Sequence, residues 1–234
     1  MIKKYLDSLA SWIRKIILVQ IRTLVDKKNG ALIFYNDAER SAVVNLIKII
    51  RAENKMLLQT NEAFQLFMLV KNTMKLDAGI AEVGCFMGGS SKIICEAKGN
   101  KVFNVFDTFE GLPELNAIDD ARQFQKGQYS ASYEFVKKYL SKYPNVFLHK
   151  GYFPDTAGPI ENKTFSFVHL DLDLYESTLA SLKFFYPRLV KGGVLISHDY
   201  TTAPGVQRAF EEFFCDKPEP IIEMSGTQCL IVKC

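Results

Sequence analysis

Two places in this 234-residue chain put acidic and imidazole side chains directly after apolar, strand-like runs. Asp171 follows the run at residues 165–170, and His198 with Asp199 follows the run at residues 194–197. If the two strands are neighbours in a parallel sheet, their carboxyl ends meet at one edge, about 4.8 Å apart. Carboxylates held that close repel each other unless a proton or a cation lies between them. The pattern therefore predicts a divalent-metal site formed by Asp171, Asp199 and His198.

Asp171 and His198 are also the candidate catalytic residues, and the sequence leaves two mechanisms open for them. A metal ion at Asp171 and Asp199 would lower the pKa of a bound hydroxyl group and orient it. Without a metal, His198 is the first candidate for a general base, because imidazole titrates near neutral pH. His149 and His169 are weaker candidates, since each lies in or beside an apolar strand.

A glycine-rich turn joins the first strand of the predicted sheet to the helix that begins near Ser90. Gly84, Gly88 and Gly89 have the spacing G-x-x-x-G-G, which differs from the G-x-G-x-x-G of dinucleotide-binding proteins. Glycines let the backbone approach a ligand closely, and a helix start offers free amide donors. Asp107, at the end of the next strand, can accept hydrogen bonds from ribose hydroxyls or cap a turn. The turn and the acid together predict a nucleoside site.

The elements that position these residues alternate between short apolar runs and helical stretches, which is typical of a parallel sheet with crossover helices. We expect a doubly wound α/β fold with a mostly parallel seven-stranded sheet, closed by a terminal antiparallel hairpin. The strands are expected at residues 79–83, 101–106, 146–150, 165–170, 194–197, 221–224 and 229–232. The helices between them are expected at residues 90–98, 132–141, 177–186 and 206–214. Pro187 and then Lys191-Gly192-Gly193 are expected to end the third of these helices and to precede the next strand.

Residues 1–75 are predicted to form a helical cap and residues 76–234 the sheet domain. Helical spacing of apolar residues predicts cap helices at residues 5–25, 37–52 and 62–75. The first is basic and amphipathic, so it either docks on the domain, joins two subunits in a homodimer, or contacts an anionic membrane surface.

Composition excludes several classes of protein. A net charge of +3 with 24% charged residues and no basic-aromatic stripe argues against nucleic-acid binding. Five cysteines without a C-x-x-C pair favour neither a disulfide framework nor a zinc site. No apolar run reaches the 18 or so residues of a membrane-spanning helix. We therefore expect a protein of the reducing cytoplasm.

Five motifs, in order between about residues 59 and 215, resemble the macrocin O-methyltransferase family. They lie at residues 82–90, 107–113, 150–156, 170–178 and 198–200. The resemblance implies a class I fold and S-adenosylmethionine as cofactor. It implies that Glu82, Gly84, Ser90 and Asp107 contact the cofactor. The predicted cofactor-binding set also includes Cys85, Phe86, Gly88, Thr108, Gly151 and Asp171.

The family's macrolide-sugar enzymes use magnesium, and Asp171 and Asp199 fall on positions of their metal site. Those enzymes have two consecutive aspartates where this chain has His198 and Asp199. Magnesium prefers oxygen ligands, whereas imidazole suits transition metals, so either Mg²⁺ or another divalent cation fits the prediction.

The resemblance implies O-methylation of a hydroxyl group on a small molecule or sugar. A noncatalytic nucleoside-binding protein and a Rossmann-type oxidoreductase are the alternatives, and the glycine spacing disfavours the second. The loop at residues 109–129 and the cap should cover the acceptor. Aromatic walls are expected from Phe109, Phe124, Tyr129, Tyr152, Phe153 and Tyr175.

Overall fold

The computed structural model describes residues 6–9, 21–26, 30–54 and 56–234. Nine strands are assigned within them: β1 (Ile21–Asp26), β2 (Gly30–Tyr35), β3 (Gly79–Val83), β4 (Phe103–Asp107), β5 (Val146–Lys150), β6 (Phe165–Leu170), β7 (Leu189–Ser197), β8 (Ile222–Glu223) and β9 (Cys229–Val232). The longer helices are α1 (Ala38–Glu53), α2 (Thr60–Thr73), α3 (Gly89–Ala97), α4 (Tyr133–Leu140), α5 (Tyr175–Phe185) and α6 (Pro204–Phe214).

Seven strands form one sheet in the order β5-β4-β3-β6-β7-β9-β8. Pairing is parallel from β5 to β7, and β9 is antiparallel to both β7 and β8. The chain moves outward from β3 to β5 and then returns to β6 on the other side of β3. Ligands bind at such a reversal, outside the carboxyl ends of the strands. The predicted doubly wound, seven-stranded fold is confirmed.

Apolar side chains cover both faces of the sheet, which explains why its central strands are apolar at nearly every position. Ile80 and Phe167 face a cluster that includes Leu66 of α2 and Ile93 of α3. Ala81, Val83 and Val168 face the other cluster, together with Leu182 of α5 and Phe210 of α6. Successive residues of a strand therefore serve opposite layers.

The N-terminal part differs from the predicted helical cap, because β1 and β2 form a separate antiparallel hairpin. The helix predicted over residues 5–25 is wrong at residues 21–25, where the β-branched Ile21, Thr23 and Val25 favour an extended chain. Residues 6–9 are helical, and residues 10–20 lie outside the described part of the chain.

The two helices that follow the hairpin were predicted within two residues of their observed ends. Asp37 caps α1 by accepting a hydrogen bond from the amide of Arg40 at 2.7 Å. The first turn of α2 has a capping box between Gln59 and Glu62. No helix among the described residues is long and apolar enough to cross a membrane. The division of the chain at residue 75 stays a prediction.

Strand β7 is longer than predicted, because it begins at Leu189 rather than Val194. The sequence Lys191-Gly192-Gly193, interpreted above as a stop before the strand, lies inside it. Gly192 and Lys233 pair through a 2.7 Å backbone hydrogen bond, and Gly193 accepts one from Lys233 at 2.8 Å. Pairing with the last strand thus overrides the local preference of two glycines.

Candidate active site

A cavity of about 270 Å³ opens at the carboxyl edge of β3, β4, β6 and β7. Its described walls combine the glycine turn, the ends of β4 and β6, the loop above them and the residues after β7. They are Leu57, Val83, Gly84, Phe86, Phe106, Asp107, Thr108, Gly111, Leu112, Pro113, Tyr129, Gly151, Tyr152, Phe153, Asp171, Leu172, Asp173, Ser177, His198 and Asp199. The predicted site residues Gly84, Phe86, Asp107, Thr108, Gly151, Asp171, His198 and Asp199 therefore share one cavity.

Gly84 lies where two strand ends meet, and no larger residue fits there. Its φ is +85°, and a Cβ atom on it would lie 1.8 Å from the carbonyl oxygen of Asp171. The amide of Asp171 donates to the carbonyl of Val83 at 2.9 Å, which fixes this approach. Glycine is thus required because the backbone at residue 84 lies against the backbone at residue 171. Without a side chain, the turn also leaves its ligand side uncovered.

Asp107 holds the glycine turn in place and also lines the cavity. Its Oδ2 accepts hydrogen bonds from the amides of Cys85 at 2.8 Å and Phe86 at 2.9 Å, and its Oδ1 accepts one from Phe109 at 2.7 Å. Burial raises the pKa of this carboxyl against the lowering effect of the three amides. A carboxylate has about four acceptor positions, so one remains for a ligand hydroxyl.

Four residues of the predicted cofactor-binding set do not line the cavity: Glu82, Cys85, Gly88 and Ser90. Glu82 shows why, because alternate residues of β3 point to opposite faces of the sheet. Its fully buried carboxylate accepts hydrogen bonds from Ser91 and, at 2.9 Å, from His169 Nδ1 on the α3 side. Gly88 is the N-cap of α3, with a φ of +82°.

His198 lies among three carboxylates. Its Nδ1 is 2.7 Å from Asp199 Oδ2 and 3.2 Å from Asp171 Oδ1, and its Nε2 is 3.4 Å from Glu62 Oε2. Burial opposes the charged form, but the surrounding carboxylates raise the pKa of His198 well above its ordinary value. Both ring nitrogens face carboxylate oxygens, and Nδ1 donates a hydrogen bond to Asp199, so action as a general base or as a metal ligand requires the loss of that proton.

Asp173 and Asp199 show opposite electrostatic behaviour in this cluster. Burial, followed by the charges of Asp171 and Asp199, raises the pKa of Asp173 well above its ordinary value. Burial also acts on Asp199, but its hydrogen bond to His198 lowers the pKa of this carboxyl overall. The site therefore gathers more negative charge than His198 alone balances, which is the condition under which a cation binds.

Left-handed backbone conformations concentrate around the cavity. Non-glycine residues with positive φ that line it are Phe86 (48°), Tyr129 (62°), Asp173 (62°) and Asp199 (59°). Each such residue costs of order 1–3 kcal/mol and persists where the surroundings determine its conformation. Their grouping supports the assignment of this cavity as the functional site.

The predicted aromatic walls divide between the cavity and the core. Tyr129, Tyr152 and Phe153 line the cavity. Phe109 and Phe124 are buried in hydrophobic clusters on opposite faces of the sheet. The hydroxyl of Tyr175 donates to Glu212 at 2.5 Å outside the cavity lining.

The sequence model of the macrocin O-methyltransferase (TylF) family matches residues 59–228. The chain belongs to this family. The match includes every strand of the large sheet except β9, which begins at Cys229, and it contains all the predicted site residues. The resemblance inferred from the five motifs is confirmed.

Curated relatives of this macrocin O-methyltransferase family member come from Streptomyces. The chain is 32% identical to 8-demethyl-8-(2,3-dimethoxy-alpha-L-rhamnosyl)-tetracenomycin-C 4'-O-methyltransferase of Streptomyces olivaceus, over 52% of each chain. It is 29% identical to demethyldecarbamoylnovobiocin O-methyltransferase of Streptomyces niveus, over 47% of this chain and 45% of that protein. The chain thus spans about half the length of the curated relatives it matches.

Solved structures show the same fold. The O-methyltransferase NovP superposes with a TM-score of 0.71 at 20% identity, covering 83% of this chain and 99% of NovP. CalS11, a calicheamicin methyltransferase, superposes with a TM-score of 0.65 at 16% identity, covering 85% of this chain and 94% of CalS11.

Two residues that precede the sheet in this family member belong to the site but were not predicted from the sequence. Leu57 lines the cavity, and Glu62 contacts His198 from behind. In the sequence, Glu62 stands out only as part of a capping box. That motif predicts the start of a helix, but it does not predict a contact with His198, which lies far along the chain.

Proposed function

We propose that this protein transfers the methyl group of S-adenosylmethionine to a hydroxyl group of a sugar or another natural product. The observation that carries the proposal is the single cavity in which Gly84 and Asp107 lie beside Asp171, His198 and Asp199. Family membership and the O-methyltransferase activities of both Streptomyces relatives support it.

The donor side of the cavity has the features that a nucleoside requires. Gly84, Gly111 and Gly151 expose backbone along its wall, and Asp107 keeps one acceptor position for a ribose hydroxyl. Phe106 and Phe153 provide apolar surface. S-adenosylmethionine, when bound, supplies a methyl group that is electrophilic because it is attached to a sulfonium.

The acceptor side favours a neutral molecule. No lysine or arginine stands among the described residues that line the cavity, whereas Asp171, Asp173 and Asp199 do. A phosphate placed there would be repelled by these carboxylates. Leu112, Pro113 and Tyr129 belong to the loop over the cavity and offer apolar contacts, which suits a glycoside on an aromatic or macrocyclic scaffold.

Asp171 is the group proposed to act on the acceptor hydroxyl, by orienting it and receiving its proton. Its carboxylate is partly exposed to the cavity, unlike the more deeply buried Asp173. The oxygen and nitrogen donors of Asp171, Asp199 and His198 lie within 4.8 Å of one another and fit a divalent cation. A cation held there would lower the pKa of the hydroxyl.

Replacing Asp107 by Asn is expected to weaken binding of S-adenosylmethionine by about 10- to 100-fold, the equivalent of losing charged hydrogen bonds worth about 1.5–3 kcal/mol. The amide can no longer accept three backbone N–H groups and a ribose hydroxyl, so the glycine turn loses its support. Isothermal titration measures the change. Asp216→Asn, on the surface, is the control and should bind like the wild type.

Methyl transfer itself is tested with S-adenosylmethionine labelled in the methyl group and a panel of glycosides and their aglycones. We expect label in the glycosides, on oxygen. Tight donor binding with no transfer to any member of the panel would favour the noncatalytic nucleoside-binding alternative. Location in the reducing cytoplasm, a homodimer through the N-terminal helices and membrane contact by the first helix stay predictions, and residues 10–20 of that helix lie outside the described part of the chain.

A further inference from the structure

Glu62 is a rigidly held carboxylate that the proposed reaction does not explain. It is fully buried in the first turn of α2. Its Oε2 accepts a hydrogen bond from the amide of Gln59 at 2.7 Å. Its Oε1 accepts two from Thr227, from the amide at 2.7 Å and the hydroxyl at 3.0 Å. Three donors from two distant segments thus fix the orientation of this carboxylate.

The remaining contact of Glu62 is with His198. Oε2 of Glu62 lies 3.4 Å from Nε2 of the ring, and the side chain of His198 is only 11% exposed. With Nε2 facing Glu62, Nδ1 is turned toward Asp171 and Asp199 at the cavity. A histidine that binds a metal in a protein commonly donates its other ring N–H to a carboxylate, which fixes the ring and its tautomer.

The distances from Nδ1 are those of hydrogen bonds, and they also suit ligands of one ion once a metal replaces the proton on Nδ1. Two atoms that each lie about 2.1 Å from a metal, at right angles, are about 3.0 Å apart. Nδ1 of His198 lies 2.7 Å from Asp199 Oδ2 and 3.2 Å from Asp171 Oδ1, on either side of this value. The donor set is one imidazole nitrogen and two carboxylate oxygens, and nitrogen ligands favour transition metals over magnesium.

We propose that Glu62 is a positioning residue that presents Nδ1 of His198, with Asp171 and Asp199, to a transition-metal dication such as Mn²⁺ or Co²⁺ in preference to Mg²⁺. The inference rests on the proposed function, because the ion would lie where the acceptor hydroxyl is activated. It assigns to Glu62 a role in metal affinity that a helix-capping residue alone would not have.

Metal binding is tested on the full chain by isothermal titration with MnCl₂, CoCl₂ and MgCl₂, and by the visible spectrum of the Co²⁺ complex. We expect Mn²⁺ and Co²⁺ to bind more tightly than Mg²⁺. His198→Asp should reduce this preference and change the Co²⁺ spectrum, because an oxygen replaces the nitrogen ligand. Equal affinity for Mg²⁺ and Mn²⁺, or a Co²⁺ spectrum unaffected by His198→Asp, would overturn the proposal.

Glu62→Gln should weaken Mn²⁺ binding by about 10- to 100-fold, as expected when the acceptor behind a metal-bound histidine is lost. Glu219→Gln is the matched control, because Glu219 is also buried but is held by Tyr186 and Lys233 away from the cavity. Unchanged Mn²⁺ affinity in Glu62→Gln would contradict the role of Glu62. If that variant does not fold, Glu62→Asp, whose shorter side chain keeps the charge but withdraws it from Nε2, replaces it and should also weaken Mn²⁺ binding.

Titration with S-adenosylmethionine, run in parallel with and without metal, separates this inference from the proposed function. Donor binding with no metal binding refutes the metal site alone. Absence of donor binding under both conditions refutes the proposed function on which the inference rests.

Discussion

Replacing Asp171 by Asn lowers kcat for methyl transfer by about 10²- to 10⁴-fold, the range expected when a positioned proton acceptor is removed. The asparagine side chain has nearly the same shape as the aspartate. The backbone contact of residue 171 with Gly84 and the hydrogen bond from its backbone N–H to the carbonyl of Val83 therefore remain. What is lost is the negative charge at the cavity wall, 3.2 Å from His198 Nδ1. The donor should therefore still bind.

Steady-state kinetics with labelled S-adenosylmethionine, together with titration of the donor, measure both parts of this prediction. Asp155→Asn is the control, because Asp155 is an exposed carboxylate outside the cavity lining and should leave kcat unchanged. A wild-type kcat in Asp171→Asn would show that neither proton acceptance nor orientation of the acceptor depends on this carboxylate.

Replacing Gly84 by Ala should abolish donor binding and lower the free energy of unfolding by about 3 kcal/mol or more. The new Cβ would lie 1.8 Å from the carbonyl oxygen of Asp171, and φ is +85°. The same substitution affects stability and binding. Relieving the overlap moves the ends of β3 and β6 apart, and this displaces the glycine turn that Asp107 holds.

Gly158→Ala provides the matched control, since a Cβ at that position has no atom within 4 Å and φ lies outside the left-handed region. Denaturant unfolding followed by circular dichroism gives the stability of both variants, and isothermal titration gives their affinity for the donor. If Gly84→Ala is as stable as Gly158→Ala and binds S-adenosylmethionine normally, the crossing of the two backbones is not what the site depends on.

The sequence predicted the large sheet well, because burial on both faces leaves continuous apolar runs such as β6, whose six residues are all buried. It failed where local pattern was ambiguous. Leu24 and its neighbours have apolar spacing that a helix and a strand can share, and pairing with β2 decides for the strand. At β7, the glycine pair predicted an interruption that pairing with β9 overrides.

The candidate site, too, was predicted from the sequence only in part. Strand ends brought Asp171, His198 and Asp199 together as predicted, since neighbouring parallel strands must end at one edge. The side chain of Glu82 lies away from the cavity because alternation along β3 turns it toward α3. Glu62 could not be found from the sequence, because its contact with His198 depends on how α2 packs against the sheet edge.

Isothermal titration of the full chain with S-adenosylmethionine, and separately with NAD⁺, tests the central claim most directly. Saturable binding of S-adenosylmethionine at one site per chain, with no binding of NAD⁺, is the predicted result. It follows from the glycine turn at Gly84, the single remaining acceptor position on Asp107 and the family to which the chain belongs. Binding of NAD⁺ without binding of S-adenosylmethionine would contradict the account.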